Sequence, residues 1–183
     1  MIQLGSVSLP SYDSERSRYL EHNNSPDDPR YVRYLDGFAS SAIVPFLPDG
    51  ARVLDFGSGP EPVLASVLKG YGYHVSVYDP FFAPDTAVLD GPRTAMPDGY
   101  DAVVLCEVIE HLFEPGRDLQ RLLGILKTGG YLILRTSVFR GNTAEDFLSW
   151  WYRNDRTHVW FLGPDTLEWL MSRYTLTLVH HAR

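Results

Sequence analysis

Cysteine is nearly absent from this chain. Cys106 is the single one among 183 residues, which excludes an internal disulfide and any thiolate zinc cluster. Long apolar runs are absent too: no stretch approaches the roughly 20 residues that span a bilayer, and the opening MIQLGSVSLPSYDSER has no basic segment followed by an apolar block. Membrane insertion is therefore not expected, and the cytoplasm is the expected compartment. Positive charge is in short supply, with 16 Lys and Arg against 23 Asp and Glu and a net charge of -7, which argues against broad binding to phosphate backbones. There is no internal repeat and no low-complexity run. A chain of this length then reads as one domain, residues 1–183, with a helical extension or lid at 1–45 and an α/β core at 46–183.

What is present is punctuated periodicity. Residues 11–24 and 31–44 have helical spacing around the turn-rich SPDDP, and Tyr31, Tyr34, Leu35 and Phe38 share one face. From residue 51 short apolar runs appear: ARVLDF, YHVSVYD, YDAVVLC and GYLILRTSV, separated by helix-sized stretches. Strands alternating with helices predict a doubly wound, mostly parallel sheet. PVLASVLKGYG and EPGRDLQRLLGILKTGG read as helices stopped by glycine, the second by Gly129 and Gly130. TAEDFLSWWYRN reads as a helix capped by Thr143, PDTLEWLMSRY as another, and TLTLVHH as a closing strand.

VLDFGSGPEP carries the first functional signal, because a glycine turn between a strand and a helix lets backbone approach a ligand at the carboxyl end of the sheet. Gly57 and Gly59 supply that turn. A dinucleotide would want a third glycine where Pro62 stands, and its pyrophosphate would be repelled by Asp55. The same carboxylate suits an ammonium, such as that of S-adenosylmethionine. Asp79, followed by Pro80, ends the second strand about 20 residues beyond the glycines, where a carboxylate accepts from ribose hydroxyls. Asp90 reaches an adenine amino group if a third strand ends at VLDGP.

These residues resemble class I S-adenosylmethionine-dependent methyltransferases, particularly the branch with ubiquinone-type O-methyltransferases. The resemblance covers roughly residues 50–170 through VLDFGSG, VSVYDP, YDAVVLCEVIEHL and LLGILKTGGYLILRT, in that order. It implies a Rossmann-like methyltransferase sheet and S-adenosylmethionine as cofactor, held by Asp55, Gly57, Gly59, Asp79, Pro80, Asp90 and Glu107. One departure is Glu61, which stands where the family usually has a third glycine, near the expected place of the methionine carboxylate.

CEVIEHL follows the fourth strand and gathers Glu107, Glu110 and His111 on one helical turn. Two chemistries fit. An imidazole beside carboxylates serves as general base for a hydroxyl or amine, so His111, His158 and Glu110 are the candidate catalytic residues. The same groups suit a divalent ion (Mg, Mn or Zn), with Glu107, Glu110, His111 and His158 as the candidate ligands. ExxEH with a downstream His is similar to small-RNA 3′-terminal ribose methyltransferases and to cation-assisted ubiquinone-type enzymes. Trp150, Trp151, Tyr152, Trp160 and Phe161 read mainly as core, whereas Tyr12, Tyr19, His22 and Tyr31 read as a lid or a packed helix. Arg135 meets an anionic substrate or pairs with an acid.

The leading expectation is an enzyme that methylates an oxygen or nitrogen of a small or medium-sized acceptor. Alternatives are an RNA ribose 2′-O-methyltransferase, a non-catalytic cofactor-binding module and, last, a nicotinamide dehydrogenase. Nucleic acid is the disfavoured partner. Oligomer contacts or natural truncation would account for a sheet edge left short after residue 183.

Overall fold

The computed structural model describes residues 2–3, 12–21, 24–90 and 99–180, and the side chains of residues 2, 3, 12, 14, 15, 21 and 90 lie outside that description. Two helices come first, α1 (Tyr12–Glu21) and α2 (Pro29–Ala42), after a short strand β1 (Ile2–Gln3). Asp28 starts α2: its carboxylate accepts the Arg30 N–H, and Pro29 takes the first helical position, where a missing N–H costs nothing.

The sheet is built from β2 (Arg52–Phe56), β3 (His74–Tyr78), β4 (Tyr100–Cys106) and β5 (Leu126–Arg135), in the order β3-β2-β4-β5 and parallel throughout. α3 (Val63–Gly70) links β2 to β3, and α5 (Pro115–Ile125) links β4 to β5. This is the doubly wound parallel sheet expected from the alternation of runs. Side chains alternate across it: Val53, Ala102 and Val104 pack with Leu35, Phe38, Leu64 and Leu68 of α2 and α3, whereas Leu54, Val103 and Leu105 pack with Leu119 and Leu122 of α5. Each fully buried leucine contributes about 1.5–3 kcal/mol relative to exposure. The chain leaves β2 toward β3 on one side and β4 on the other. The carboxyl ends of β2 and β4 thus flank the crevice where ligands bind in such sheets.

Four expectations change. The described part of VLDGP is not a strand: Ala87–Asp90 forms a short helix, α4, in which Leu89 is buried, and Gly91 and Pro92 lie outside the described residues. The helix after β4 stops at Ile125, earlier than its glycines, because β5 begins at Leu126 and absorbs Gly129 and Gly130 in an irregularity where Tyr100 pairs with Leu126 and Ala102 with Tyr131. TAEDFLSWWYRN breaks in two: α6 (Ala144–Ser149) keeps its Thr143 cap, Trp150 is extended, and Trp151–Asn154 forms a 3-10 turn. The break lets Trp150 join Phe139, Phe147 and Phe161 while Tyr152 turns toward His158. TLTLVHH forms no strand over its described residues 175–180, since alternation needs a neighbouring edge and no ladder partner is present there among the described residues. A final strand β6 (Trp160–Phe161) pairs instead with β1, antiparallel, ahead of α7 (Pro164–Tyr174).

Candidate active site

β2 runs straight into Gly57 and Gly59, with φ of +79° and +71°, a backbone region that favours glycine. A Cβ on Gly57 would stand 2.5 Å from Val108, so the turn lies directly against the segment after β4. The N–H groups of Gly57 and Ser58 both donate to the Tyr78 carbonyl, at 2.7 and 3.2 Å, and bind the turn to the end of β3.

Asp55 is buried at 3% exposure, and its Oδ2 has no hydrogen-bond partner. Burial raises its pKa to about 7 against the pull of a hydrogen bond from the Ala65 backbone, and the Asp79 charge adds to the rise. A buried carboxylate oxygen without a donor is costly; a ligand cation beside it would remove that cost.

Asp79 is also buried and is already employed. Its Oδ2 accepts the Gly59 N–H at 2.9 Å, while Oδ1 accepts those of Phe81 at 2.8 Å and Phe82 at 3.1 Å. The carboxylate fixes the glycine turn from the neighbouring strand. Pro80 is exposed in the same turn, and the side chain of Asp90 lies outside the described residues. Glu61 points outward, exposed, and its Oε2 accepts the Ser25 hydroxyl at 3.4 Å.

Glu107, directly after β4, is a non-glycine residue at φ +55°, held there by its N–H donating to the Arg135 carbonyl at 2.8 Å. Its carboxylate accepts from Tyr34 at 3.4 Å, lies 3.0 Å from the Tyr152 hydroxyl and stands 3.6 Å from Arg135 Nε. Arg135 also donates to the Tyr34 hydroxyl at 2.8 Å, so it meets an acid and a tyrosine inside the crevice. Glu110, in the 3-10 turn Ile109–His111, is 0% exposed; Tyr152 donates to its Oε1, and its Oε2 has no hydrogen-bond partner. Burial, only partly offset by the Tyr152 hydrogen bond, lifts the Glu110 pKa to about 7.

His111 and His158 lie edge to face, 4.7 Å between ring centroids. His111 Nδ1 is 3.1 Å from the Thr157 carbonyl and His158 Nδ1 is 2.8 Å from the Tyr152 carbonyl. Carbonyls only accept, so each Nδ1 carries a proton, and Nε2 is the nitrogen that holds the lone pair whenever the ring is neutral. Ligand atoms of Glu110, His111 and His158 all fall within 4.8 Å of one another. Among the described residues this three-residue group is the one spaced to hold a metal ion, and Glu107 is not part of it. Three of the four candidate ligands are thus brought together, while the Glu107 carboxylate is turned toward Tyr34, Arg135 and Tyr152.

α1 and α2 cover the crevice. Tyr19 on α1 stands 5.6 Å, centroid to centroid, from both Phe81 and His111, bridging the two ends of the site. Tyr31 on α2 has its ionisation pushed upward by burial first and then by Cys106, Tyr34, Asp55 and Glu107, which places its ring among those groups. His22 and the Tyr12 side chain lie outside the described residues. Trp151 is 69% exposed and is not core, whereas Tyr152 is buried within the cluster. Tyr152 is the residue that spacing does not reveal: periodicity places it on an aromatic helix face, and only the break at Trp150 turns it inward.

The sequence profile of a family described as a methyltransferase domain matches residues 31–181, and the chain belongs to that family. Solved structures share the fold. Haemonchus contortus phosphoethanolamine N-methyltransferase 2, bound to phosphomonomethylethanolamine and S-adenosylhomocysteine, superposes with a TM-score of 0.56 at 16% identity over 90% of this chain and 45% of its own. The plantazolicin methyltransferase BpumL, bound to a triazolic desmethylPZN analog and SAH, gives 0.53 at 18% identity over 90% of this chain and 70% of its own. CalO1, a methyltransferase in calicheamicin biosynthesis in its SAH-bound form, gives 0.51 at 17% over 88% of this chain and 55% of its own. The chain spans about half the length of the first and third of these, at 45% and 55%. No curated protein matches the chain. Among the described residues no helix is long and apolar enough to cross a membrane.

Proposed function

We propose that the protein is an S-adenosylmethionine-dependent methyltransferase that modifies an oxygen or nitrogen of a small or medium-sized acceptor. The observation that carries this reading is the buried Asp55 oxygen without a partner, set beside the Gly57–Gly59 turn at the switch point of the sheet. Asp55 would take the donor's ammonium and Asp79 its ribose hydroxyls. Of the Asp79 oxygens, Oδ2 has taken one N–H and keeps a second lone pair for this.

The donor supplies an activated methyl group, and the chain's residues supply alignment and a proton acceptor. In the transfer the acceptor's lone pair forms the new bond to the methyl carbon and the carbon–sulfur pair returns to sulfur, leaving a thioether. The acceptor's proton passes to Glu110 or to an Nε2 of His111 or His158, the three residues whose polar atoms lie together at this end of the crevice. Positioning accounts for most of the barrier reduction, because the leaving group needs no further activation. α1 and α2, with Tyr19 and Tyr31, exclude water from the crevice as a lid on a single domain.

A second reading adds a divalent ion. Glu110, His111 and His158 fit one: two imidazoles with Nδ1 anchored on carbonyls, plus a carboxylate oxygen that lacks a partner. Such an ion would acidify and orient an acceptor hydroxyl. The ubiquinone-type branch and a cytoplasmic setting belong to this proposal as well, since ExxEH and the composition support them. Ribose methylation in RNA is disfavoured by the charge of -7.

The test is transfer of labelled methyl from S-adenosylmethionine to a panel of phenols, amines and short RNAs, with and without chelator. Product on a phenol or amine supports the reading, and product on RNA alone replaces it with ribose methylation. Donor binding without transfer to any acceptor would favour a binding module.

A further inference from the structure

Tyr152 touches more of the acidic and imidazole groups than any role in an aromatic core requires. Its hydroxyl donates to Glu110 Oε1, lies 3.0 Å from Glu107 Oε2 and 3.2 Å from the Thr136 hydroxyl. Its main-chain carbonyl takes the Nδ1 proton of His158 at 2.8 Å, and its ring packs 4.2 Å from that imidazole, centroid to centroid. One residue thus meets three of the four groups gathered from CEVIEHL and the downstream histidine.

We propose that Tyr152 is the positioning residue of this centre: its hydroxyl sets the orientation of Glu110 and Glu107 while its carbonyl sets the tautomer of His158. The inference rests on the reading of these groups as the acceptor end of a methyl-transfer site. The geometry gives the hydroxyl a defined task. A carboxylate in a buried pocket can rotate about its last torsion unless one oxygen is fixed. Holding Oε1 of Glu110 leaves Oε2 as the oxygen without a hydrogen-bond partner, in a residue grouped with His111 and His158. Two carboxylates converge on one hydroxyl that has a single proton to give, an arrangement that repels itself unless the bridging group is present. Glu107 depends on it further, since at φ +55° it holds a sparsely populated backbone conformation that its surroundings must maintain. The extended Trp150 that breaks the helix is what brings the hydroxyl to this point.

Tyr152→Phe tests the proposal, because it keeps the ring, its packing and the main-chain carbonyl and removes only the hydroxyl. Kinetics on an acceptor found by the methyl-transfer screen, calorimetry with S-adenosylhomocysteine, thermal unfolding, and nitrogen NMR of histidine-labelled protein are compared with wild type. The expected result is a loss of about 10- to 100-fold in kcat, donor-product affinity within twofold of wild type, and imidazole resonances of His111 and His158 displaced by the released Glu110 carboxylate while His158, its carbonyl partner intact, keeps its tautomer. Unchanged kcat, or unchanged imidazole resonances, would overturn the proposal. So would a parallel fall of kcat, donor affinity and Tm, which marks a packing role alone. Wild-type protein that fails to bind the donor product sinks the methyltransferase reading, and the NMR comparison then decides the positioning role by itself. If the variant does not fold, Thr136→Val carries the test, with a smaller displacement of the same resonances expected and no displacement contradicting the proposal.

Discussion

Glu107 and Arg135 meet twice across the carboxyl ends of adjacent parallel strands: the Glu107 N–H donates to the Arg135 carbonyl at 2.8 Å, and their side chains stand 3.6 Å apart. The backbone contact holds Glu107 at φ +55°, and the side-chain contact balances a carboxylate that shares Tyr152 with Glu110. Arg135→Ala removes the cation and its stacking over Tyr34, whose ring centroid is 4.1 Å away, while leaving the backbone contact. Both partners are about one-third exposed, so solvent screening limits the direct loss to about 1 kcal/mol. Thermal unfolding should show a fall of a few degrees, and an unchanged Tm would mean that the pair is not coupled to the fold.

Asp55 makes stability depend on pH. Its folded pKa, raised to about 7 from 3.8, means that the native state binds more protons than the unfolded state between those values. Stability from this group is therefore fully present below about pH 4 and is lost as pH rises through 7. Asp55→Asn removes the titration, so the difference in Tm between variant and wild type should grow in the variant's favour from pH 5 to pH 8. A difference that stays flat, or runs the other way, contradicts the burial argument.

The two glycines of the turn should respond differently to alanine. Gly57→Ala combines φ +79° with a Cβ 2.5 Å from Val108, whereas Gly59→Ala at φ +71° meets nothing within 4 Å. The first should cost about 3 kcal/mol or more, through strain together with a clash in packed surroundings. The second should cost only about 1–2 kcal/mol, the price of a left-handed backbone. Urea titration of both variants compares them, and equal losses would count against the close approach of the turn to Val108.

Glu110, His111 and His158 predict divalent-ion uptake that depends on all three. Wild-type protein stripped with chelator should rebind Mn or Zn in equilibrium dialysis, and His158→Ala should weaken that uptake by at least tenfold. Uptake that survives His158→Ala, or is absent in wild type, removes the metal reading and leaves the histidines as proton acceptors alone.

The strand–glycine–helix segment and the parallel order were legible because each depends on local signals: apolar runs, Gly57 and Gly59, and helix stops a few residues apart. The pairing of Glu110 with His111 was likewise near in sequence. Less could be read where the decision is tertiary. Val88 and Leu89 suit a strand as well as a helix, and packing chose the helix. Leu176 and Leu178 alternate as a strand would, yet a strand also needs an edge to join. Tyr152 depends on an extended residue at Trp150, and Asp79 on three backbone donors from two segments, relationships that no spacing in the sequence encodes.

Calorimetric titration with S-adenosylhomocysteine tests the central claim most directly, since it needs no acceptor. The account predicts one binding site per chain with a Kd in the micromolar range, weakened at least tenfold by Asp55→Ala in protein that remains folded. Absence of binding heat at millimolar ligand, or affinity untouched by that substitution, would contradict it.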